Sequence, residues 1–217
     1  MMKRALVLAN GEWNGDGAYF QQICQAVDTL VCADGGAVYA MELGLKPDRI
    51  FGDLDSIMPE VQAAYERMGI EFVLFPVEKD KTDTHLVLDH LIAEGYQEIL
   101  LGGALGGRPD HLLGNMMLLS YAHQQGVCAK LISPLVEIQV ITGVLTIAGH
   151  AGDTFSLIPV DTQVKGVTLT GFKYPLTDAA VRREGTLGIS NLIENDFAVV
   201  EVAEGAAFIF IINSQIV

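Results

Sequence analysis

The sequence is short of several residue types, and each shortage excludes a class of protein. Only 3 of its 217 residues are cysteine, and these are widely spaced in apolar surroundings, which excludes a disulfide framework or a cysteine metal site. Basic residues number 13 against 27 acidic ones, so the net charge of −14 argues against a nucleic-acid partner. No apolar stretch approaches the roughly 18 to 20 residues that span a bilayer. We therefore expect a protein without a membrane span, with its cysteines buried as small hydrophobes.

The composition favours a folded globular protein. Half of the residues are hydrophobic, which is enough for a substantial core in 217 residues. The first residues, MMKRALVLANG, run into a strand-like segment without a signal-peptide core or cleavage site. A cytoplasmic location is the expectation that follows.

Strand-like and helical patterns alternate between residues 4 and 133. Strands are predicted at 4–11, 29–34, 49–53, 71–75, 98–105 and 128–133, and helices at 16–26, after Gly36, at 59–68, from Thr82 and at 110–124. This alternation predicts an α/β domain with a doubly wound, mostly parallel sheet covered on both faces. The loops at the carboxyl ends of its strands would form the ligand crevice.

The pattern changes after Ser133. Short β-rich runs follow, separated by Gly, Asp or Asn turns: VEIQVIT, GVLTIAG, DTFSLIPV, VKGVTLTG, FAVVEV and AAFIFIIN. Such runs predict an all-β sandwich or barrel, of which we favour the sandwich. Residues 171–195 are predicted to be a long polar connection. We therefore expect two domains, residues 1–133 and 134–217.

Four stretches of the first domain place aspartates, mostly beside glycine, at predicted strand ends. They are ADGGA (33–37), GDLDS (52–56), DKTD (80–83) and GGALGGRPDH (102–111). Each alone is typical of a turn or a helix start. Together, at the expected ligand edge, they predict a binding site.

The second stretch carries paired carboxylates. Asp53 and Asp55 are one residue apart, so in an extended segment they share a face with Cα atoms roughly 6.6 Å apart and can reach one cation. The alternative is a strand that ends in a turn. Asp80 is a candidate third oxygen ligand, and Mg²⁺ prefers such oxygen ligands.

The DKTD stretch has a structural interpretation beside a functional one. Thr82 is a candidate N-cap, and Asp83 lies in the first helical turn, where a negative charge favours the helix dipole. Lys81 has no such structural role and is a candidate for a phosphate contact.

The ADGGA stretch has two interpretations that can hold together. It can form a tight turn with Gly35 or Gly36 at positive φ. The absent side chains can also let a ligand approach the backbone, with Asp34 accepting a hydrogen bond from that ligand.

The last stretch has the features of a phosphate loop. Gly106 and Gly107 allow close backbone approach, and Arg108 offers a planar fork of donors. Pro109 and Asp110 are typical of a helix start. The stretch is neither a Walker loop nor a dinucleotide fingerprint, and no arrangement for covalent acyl chemistry stands out.

Taken in order, ADGG, GDxDS, DKTD and GGRxDH resemble the motifs of bacterial-type thiamine pyrophosphokinases. The resemblance covers most of residues 5 to 120 and extends to GISN (188–191), where the family has a Ser-Asn motif in its β-rich domain. It implies transfer of a pyrophosphoryl group from ATP to the hydroxyl of thiamine, with Mg²⁺, by a homodimer whose active site forms between subunits. The first domain would then be catalytic, and the second would bind thiamine.

The resemblance also implies roles by position. Asp53, Asp55 and Asp80 would hold Mg²⁺ and through it the triphosphate; Asp34 and Asp83 would line the same site; Arg108 and Asp110 would lie on the nucleotide side; Ser190 and Asn191 would contact thiamine. One departure is visible, because Leu192 stands where the family commonly has an acidic residue.

Two other functions are compatible with the same carboxylates. A Mg²⁺-dependent phosphohydrolase would use water as the nucleophile, and a nucleotide or thiamine sensor would bind without turnover. Products formed with and without thiamine distinguish the three.

Overall fold

The structure is a computed structural model that describes residues 2–12, 17–53, 56–75 and 80–214. The chain forms two compact units, Met1–Ser133 and Pro134–Val217. Asp55, one of the predicted metal ligands, lies outside the described residues.

The first unit alternates strands and helices. Its strands are β1 (Arg4–Leu8), β2 (Thr29–Ala33), β3 (Arg49–Gly52), β4 (Glu71–Leu74), β5 (Glu98–Gly102) and β6 (Cys128–Ile132). Its helices are α1 (Gly17–Cys24), α2 (Gly36–Glu42), α3 (Pro59–Arg67), α4 (Asp83–Ala93) and α5 (Pro109–Gln124).

All strand pairs in the first unit are parallel, in the order β6-β5-β1-β2-β3-β4. From β1 the chain adds β2, β3 and β4 on one side, and then β5 and β6 on the other. The order therefore reverses beside β1, which is where open α/β sheets bind their ligands. The predicted doubly wound parallel sheet is confirmed.

Both faces of this sheet are covered. On one face, Leu6 of β1 and Ile50 of β3 share an apolar cluster with Tyr65 of α3. Successive strand residues point to opposite faces. Phe51, next to Ile50, is fully buried and packs against His90 of α4, with ring centroids 5.0 Å apart. Near-continuous apolar strands are thus explained by burial on two sides.

The cysteine prediction is only partly right. Cys32 is buried within β2, whereas Cys24 is half-buried and Cys128 is exposed at the start of β6. Cys24 is the last residue of α1 and Cys128 the first residue of β6, and apolar neighbours in sequence do not by themselves bury a residue at the end of an element.

The second unit is antiparallel and has no helix among its described residues. Its strands are β7 (Val136–Ala148), β8 (Thr154–Pro159), β9 (Gln163–Thr170), β10 (Leu176–Arg182), β11 (Asn191–Leu192) and β12 (Phe197–Ile212). Sixteen buried residues, including Phe155, Val200 and Ile209, form one core cluster. The β-rich second half is confirmed.

Two predicted strand pairs are single long strands. VEIQVIT and GVLTIAG form β7, and FAVVEV and AAFIFIIN form β12. The glycines that suggested turns have positive φ, 72° at Gly143 and 88° at Gly205, and the β7–β12 register shifts between Val202 and Ala207. Glycine inside a strand marks such a bulge as readily as a turn.

The bulge lets β12 change partners. Its first half pairs with β9 from Val199 to Glu204, and its second half pairs with β8 from Ala207 to Ile212. The polar segment 171–195, predicted to be a connection, is also partly ordered, since it contains β10 and β11. Among the described residues, no helix is both long and apolar enough to cross a membrane.

Candidate active site

A cleft of about 450 Å³ opens in the first unit at the carboxyl ends of β1, β2 and β5. Its lining comes from the loops after these strands, from α2, from the start of α4 and from the first half of α5. The lining residues are Ala9, Asn10, Gly11, Glu12, Ala33, Asp34, Tyr39, Thr82, Asp83, Thr84, Gly103, Ala104, Gly106, Gly107, Arg108, His111 and Asn115. Three of the four predicted motifs therefore meet at the reversal of strand order.

Glycines let the loops under the cleft pack against each other. A Cβ on Gly36 would lie 1.9 Å from the carbonyl oxygen of Leu8, and one on Gly11 would lie 2.2 Å from that of Gly103. Real Cβ atoms do not approach backbone this closely. A Cβ on Gly35 would meet the side chain of Asn10 at 2.4 Å. The backbone contacts at Gly36 and Gly11 thus require glycine, whereas a side chain at Gly35 would require Asn10 to move.

Asp34 is the residue with the unusual backbone in the ADGGA stretch. Its φ is 50°, whereas Gly35 has φ −57° and Gly36 is not among the residues of positive φ. The prediction that one of the glycines has positive φ is wrong, because aspartate also tolerates the left-handed region. The Asp34 N–H donates to the carbonyl of Phe51 at 2.7 Å, and Ser56 Oγ donates to Asp34 Oδ2. These bonds fix the carboxylate at the cleft.

The start of α4 brings the DKTD stretch to the cleft. Thr82 caps the helix, as predicted, by accepting a hydrogen bond from the His85 N–H at 3.3 Å. Thr82 and Asp83 line the cleft, whereas Asp80 and Lys81 are exposed and not among its lining residues. Lys81 Nζ lies 2.5 Å from Asp89 Oδ2.

The GGRPDH stretch also lines the cleft, through Gly106, Gly107, Arg108 and His111. Gly106 and Gly107 have φ of 78° and 67°, which only glycine adopts readily. Arg108 donates to Asp110 from Nε at 3.2 Å and from a terminal nitrogen at 2.7 Å. The hydrogen bonds from Arg108 lower the pKa of Asp110 to about 2. Both side chains are exposed, and a guanidinium has five donors, so Arg108 can still reach a ligand.

Asn115 holds the loop between these glycines and β5. Its Nδ2 donates to the carbonyl oxygen of Ala104 at 2.9 Å. Since Asn115 lies on α5, this bond ties the loop to the helix that follows it.

The predicted metal ligands are less completely described. Asp53 follows β3, two strands from β1, and directly follows Gly52, where an added Cβ would lie 3.2 Å from the Asp34 side chain. In the described parts of the chain, no three His, Cys, Asp or Glu side chains gather closely enough to hold a metal. Asp55 lies outside those parts. By chemistry the set fits Mg²⁺, since Asp53, Asp55 and Asp80 offer only carboxylate oxygens.

Several cleft residues were missed from the sequence, among them Asn10, Glu12 and Tyr39. Asn10 and Glu12 follow β1, and Tyr39 lies on α2. The position of Asn10 and Glu12 after a predicted strand could have identified them, because a parallel sheet brings the carboxyl ends of all its strands to one edge. Tyr39 carried no signal, since an aromatic residue on an apolar helix is typical of a core.

The Ser-Asn motif of the second unit lies where a turn leads into β11, and Ser190 on that turn is exposed. Ser190 has φ 59°, and its N–H donates to Ser156 Oγ at 3.0 Å. Asn191 is 5% exposed. Its Oδ1 accepts from the N–H groups of Tyr174 at 3.0 Å and Leu192 at 2.9 Å, and its Nδ2 donates to the Tyr174 carbonyl at 2.7 Å. The Asn191 amide therefore shapes this turn.

A cleft at the switch point of a parallel α/β sheet, walled by glycines and edged by carboxylates and an arginine, is typical of proteins that handle nucleotides or other phosphorylated ligands. Comparison with known families narrows this class. Residues 20–131 match the family model of the thiamin pyrophosphokinase catalytic domain, and residues 144–206 match that of the thiamin pyrophosphokinase vitamin B1 binding domain.

Individual relatives agree with this match. The chain is 33% identical to thiamine pyrophosphokinase of Bacillus subtilis over 79% of this chain and 81% of that one. It is 31% identical to thiamine pyrophosphokinase 1 of Oryza sativa over 76% and 72%. A solved thiamin pyrophosphokinase from Geobacillus thermodenitrificans matches with a TM-score of 0.84 at 32% identity, over 99% of each chain. One from Bacillus subtilis matches with 0.86 at 27% identity, over 98% of this chain and all of that one. The chain belongs to the thiamin pyrophosphokinase family.

Proposed function

We propose that this protein transfers the pyrophosphoryl group of ATP to the hydroxyl of thiamine, which yields thiamine diphosphate and AMP. The observation that carries the proposal is the cleft beside β1, where Asp34, Asp83, Gly106, Gly107 and Arg108 meet in a member of this family. In this proposal Met1–Ser133 is the catalytic unit, and Pro134–Val217 binds thiamine.

The reaction needs positioning and charge neutralisation more than a protein nucleophile. The thiamine hydroxyl attacks the β-phosphorus in line with the departing AMP. Gly106 and Gly107 admit the phosphates close to the backbone, and Arg108 offsets their negative charge. A carboxylate at the cleft, Asp34 or Asp83, accepts the hydroxyl proton.

An acidic protein needs a cation to hold a triphosphate. Asp53, Asp55 and Asp80 would hold Mg²⁺, which neutralises phosphate charge when bound. Support comes from their chemistry and from the position of Asp53 one residue beyond the close approach of Gly52 to Asp34. Lys81, next to Asp80, would meet a phosphate, and Asp110 would orient Arg108.

A direct product assay tests the proposal. Purified protein is incubated with ATP, Mg²⁺ and thiamine, and the products are separated by chromatography. We expect thiamine diphosphate and AMP in equal amounts, and none without Mg²⁺. ADP or phosphate formed independently of thiamine would instead indicate a phosphohydrolase, and ligand binding without turnover would indicate a sensor.

We also propose that the enzyme is a homodimer whose active site is shared by two subunits, with Ser190 and Asn191 of one serving the cleft of the other. Mixing subunits tests this. Asp53→Asn and Asn191→Ala chains, each expected to be weakly active alone and each shown by thermal melting to fold, are unfolded together and refolded as mixed dimers. About a quarter of wild-type activity should return, because half of the dimers are mixed and each of these carries one intact site. A monomer with full activity, or no recovery on mixing, would contradict the shared site.

A further inference from the structure

The lysine of the DKTD stretch is held by a second side chain. Lys81 Nζ lies 2.5 Å from Asp89 Oδ2, although the Lys81 side chain is 41% exposed. The two residues are eight positions apart, with Lys81 before the helix and Asp89 inside α4.

The carboxylate that holds Lys81 is itself braced from a different helix. Tyr121 of α5 donates its hydroxyl proton to Asp89 Oδ1 at 2.6 Å. The Tyr121 ring packs against His85 with ring centroids 5.0 Å apart, and His85 Nε2 lies 3.8 Å from the same Asp89 oxygen. Burial alone would raise the pKa of Asp89, but the hydrogen bonds from Lys81 and Tyr121 outweigh it and lower that pKa. Asp89 is thus a fixed, ionised carboxylate.

The cluster adjoins the cleft along the chain, although none of its four residues lines it. The residue after Lys81 is Thr82, which caps α4 and lines the cleft together with Asp83 and Thr84. The cap fixes the backbone beside Lys81, and Asp89 fixes the far end of its side chain. Lys81 is therefore held at both ends, and its backbone is one residue from the cleft lining.

Holding a lysine in advance has an energetic consequence. A free lysine loses much rotamer freedom when it binds a ligand, and a lysine that is already ordered loses less. An ammonium has three donors, of which Asp89 takes one, so others can reach a phosphate oxygen while the pair stays intact. The pair with Asp89 and binding of a phosphate are thus compatible.

We infer that Asp89 and Tyr121 are positioning residues that hold the Lys81 ammonium ready for the triphosphate of the nucleotide. The inference rests on the proposed function, since it assigns a role within the same nucleotide site. Neither residue is expected to touch the reacting atoms. Both act through Lys81.

The test compares Asp89→Asn and Tyr121→Phe, each alone and combined with Lys81→Met. We expect Asp89→Asn to raise KM for ATP roughly tenfold with kcat nearly unchanged, since the contact is made equally in ground and transition states. Tyr121→Phe should have a smaller effect in the same direction. KM for thiamine should not move. In the Lys81→Met background, each change should add less than about twofold, because residues that act through one group are not additive.

A matched control separates this role from a general loss of charge. Lys165 and Glu204 form a comparable pair at 2.6 Å on strands of the second unit, so Glu204→Gln should leave both KM values unchanged. Thermal melting checks that each variant is folded. If Asp89→Asn does not fold, Tyr121→Phe still carries the test.

Some outcomes would overturn the inference. An unchanged KM for ATP in both variants would do so, as would an equal loss for both substrates, which indicates a merely structural role. A full effect of Asp89→Asn in the Lys81→Met background would show that it does not act through Lys81. If the wild-type protein forms no thiamine diphosphate, the proposed function fails separately. Titration calorimetry with MgATP then still reports whether the variants weaken binding through Lys81.

Discussion

The two regions with predicted substrate contacts use polar side chains in different ways. In the first unit, the sheet topology collects side chains from several distant segments into one cleft, where Asp34, Asp83 and Arg108 line open space. In the second unit, the side-chain amide of Asn191 makes three hydrogen bonds to the backbone of its own chain.

This difference follows from how parallel and antiparallel sheets place polar side chains. A parallel sheet brings the carboxyl ends of its strands to one edge, so loops far apart in sequence share one site. An antiparallel unit joins neighbouring strands by turns, and its motif residues shape the turn itself. We therefore expect substitutions in the first region to reduce ligand binding and catalysis, and substitution of Asn191 to act first on stability.

The largest expected effect is on the carboxylate after β3. Asp53→Asn should reduce Mg²⁺-dependent turnover by roughly 100-fold or more, because an uncharged amide is a poor ligand for a hard cation. Asp48 lies just before the same strand, where it accepts hydrogen bonds from Thr29 and Leu30. Asp48→Asn should therefore leave turnover unchanged. Similar rates for the wild-type protein and Asp53→Asn, both folded, would remove Asp53 from the site.

The second prediction concerns the close backbone approach beneath the cleft. Gly36→Ala should destabilise the first unit by about 3 kcal/mol, since its Cβ would lie 1.9 Å from the Leu8 carbonyl oxygen. Gly114 is an exposed glycine inside α5 with no atom within 4 Å of an added Cβ. Gly114→Ala should therefore be neutral or stabilising, by up to about 1 kcal/mol. Urea denaturation measures both, and equal stabilities for the two variants would contradict the packing argument.

The third prediction tests the turn of the second unit. Asn191→Ala should cost about 2 kcal/mol of unfolding free energy, because it removes the three hydrogen bonds made by a buried amide. Asn191→Asp keeps the two acceptor bonds but sets a carboxylate oxygen against the Tyr174 carbonyl. MgATP affinity, measured by calorimetry on the folded protein, should be unchanged in both variants. A loss of MgATP affinity without a loss of stability would reverse the comparison between the two regions.

Much of the first unit could be predicted from the sequence, because its signals are local. Buried apolar strands, the Thr82 cap and the aspartate and glycine stretches at strand ends each depend on a few neighbouring residues. The rule for carboxyl ends then collects three of the four motifs at one edge. The same rule covers Asn10 and Glu12, because they directly follow β1.

Other features depend on contacts that no local pattern records. Tyr121 braces Asp89 across 32 residues of sequence, and nothing near either residue indicates the other. Gly143 and Gly205 predicted turns because glycine favours positive φ, and they do have positive φ, but within strands that continue past them. At Gly205 the chain continues as one strand because β12 pairs with β7 on one side and with β9 and β8 on the other.

The smallest predicted effect compares ion pairs of the two units. Arg49 donates twice to Glu94, at 2.7 and 2.6 Å, and lowers the pKa of Glu94 to about 2. A carboxyl whose pKa is depressed on folding stabilises the protein above its unfolded pKa of about 4.5, and this contribution is lost as the pH falls toward 2. Because Glu94 is a third exposed, Glu94→Gln should cost only roughly 1 kcal/mol at pH 7. Glu204→Gln, at the exposed pair with Lys165, should change nothing measurable. Urea titrations at pH 7 and pH 3 measure the difference between wild-type and Glu94→Gln protein, and a difference that does not shrink at pH 3 would show that the ionised pair is not its source.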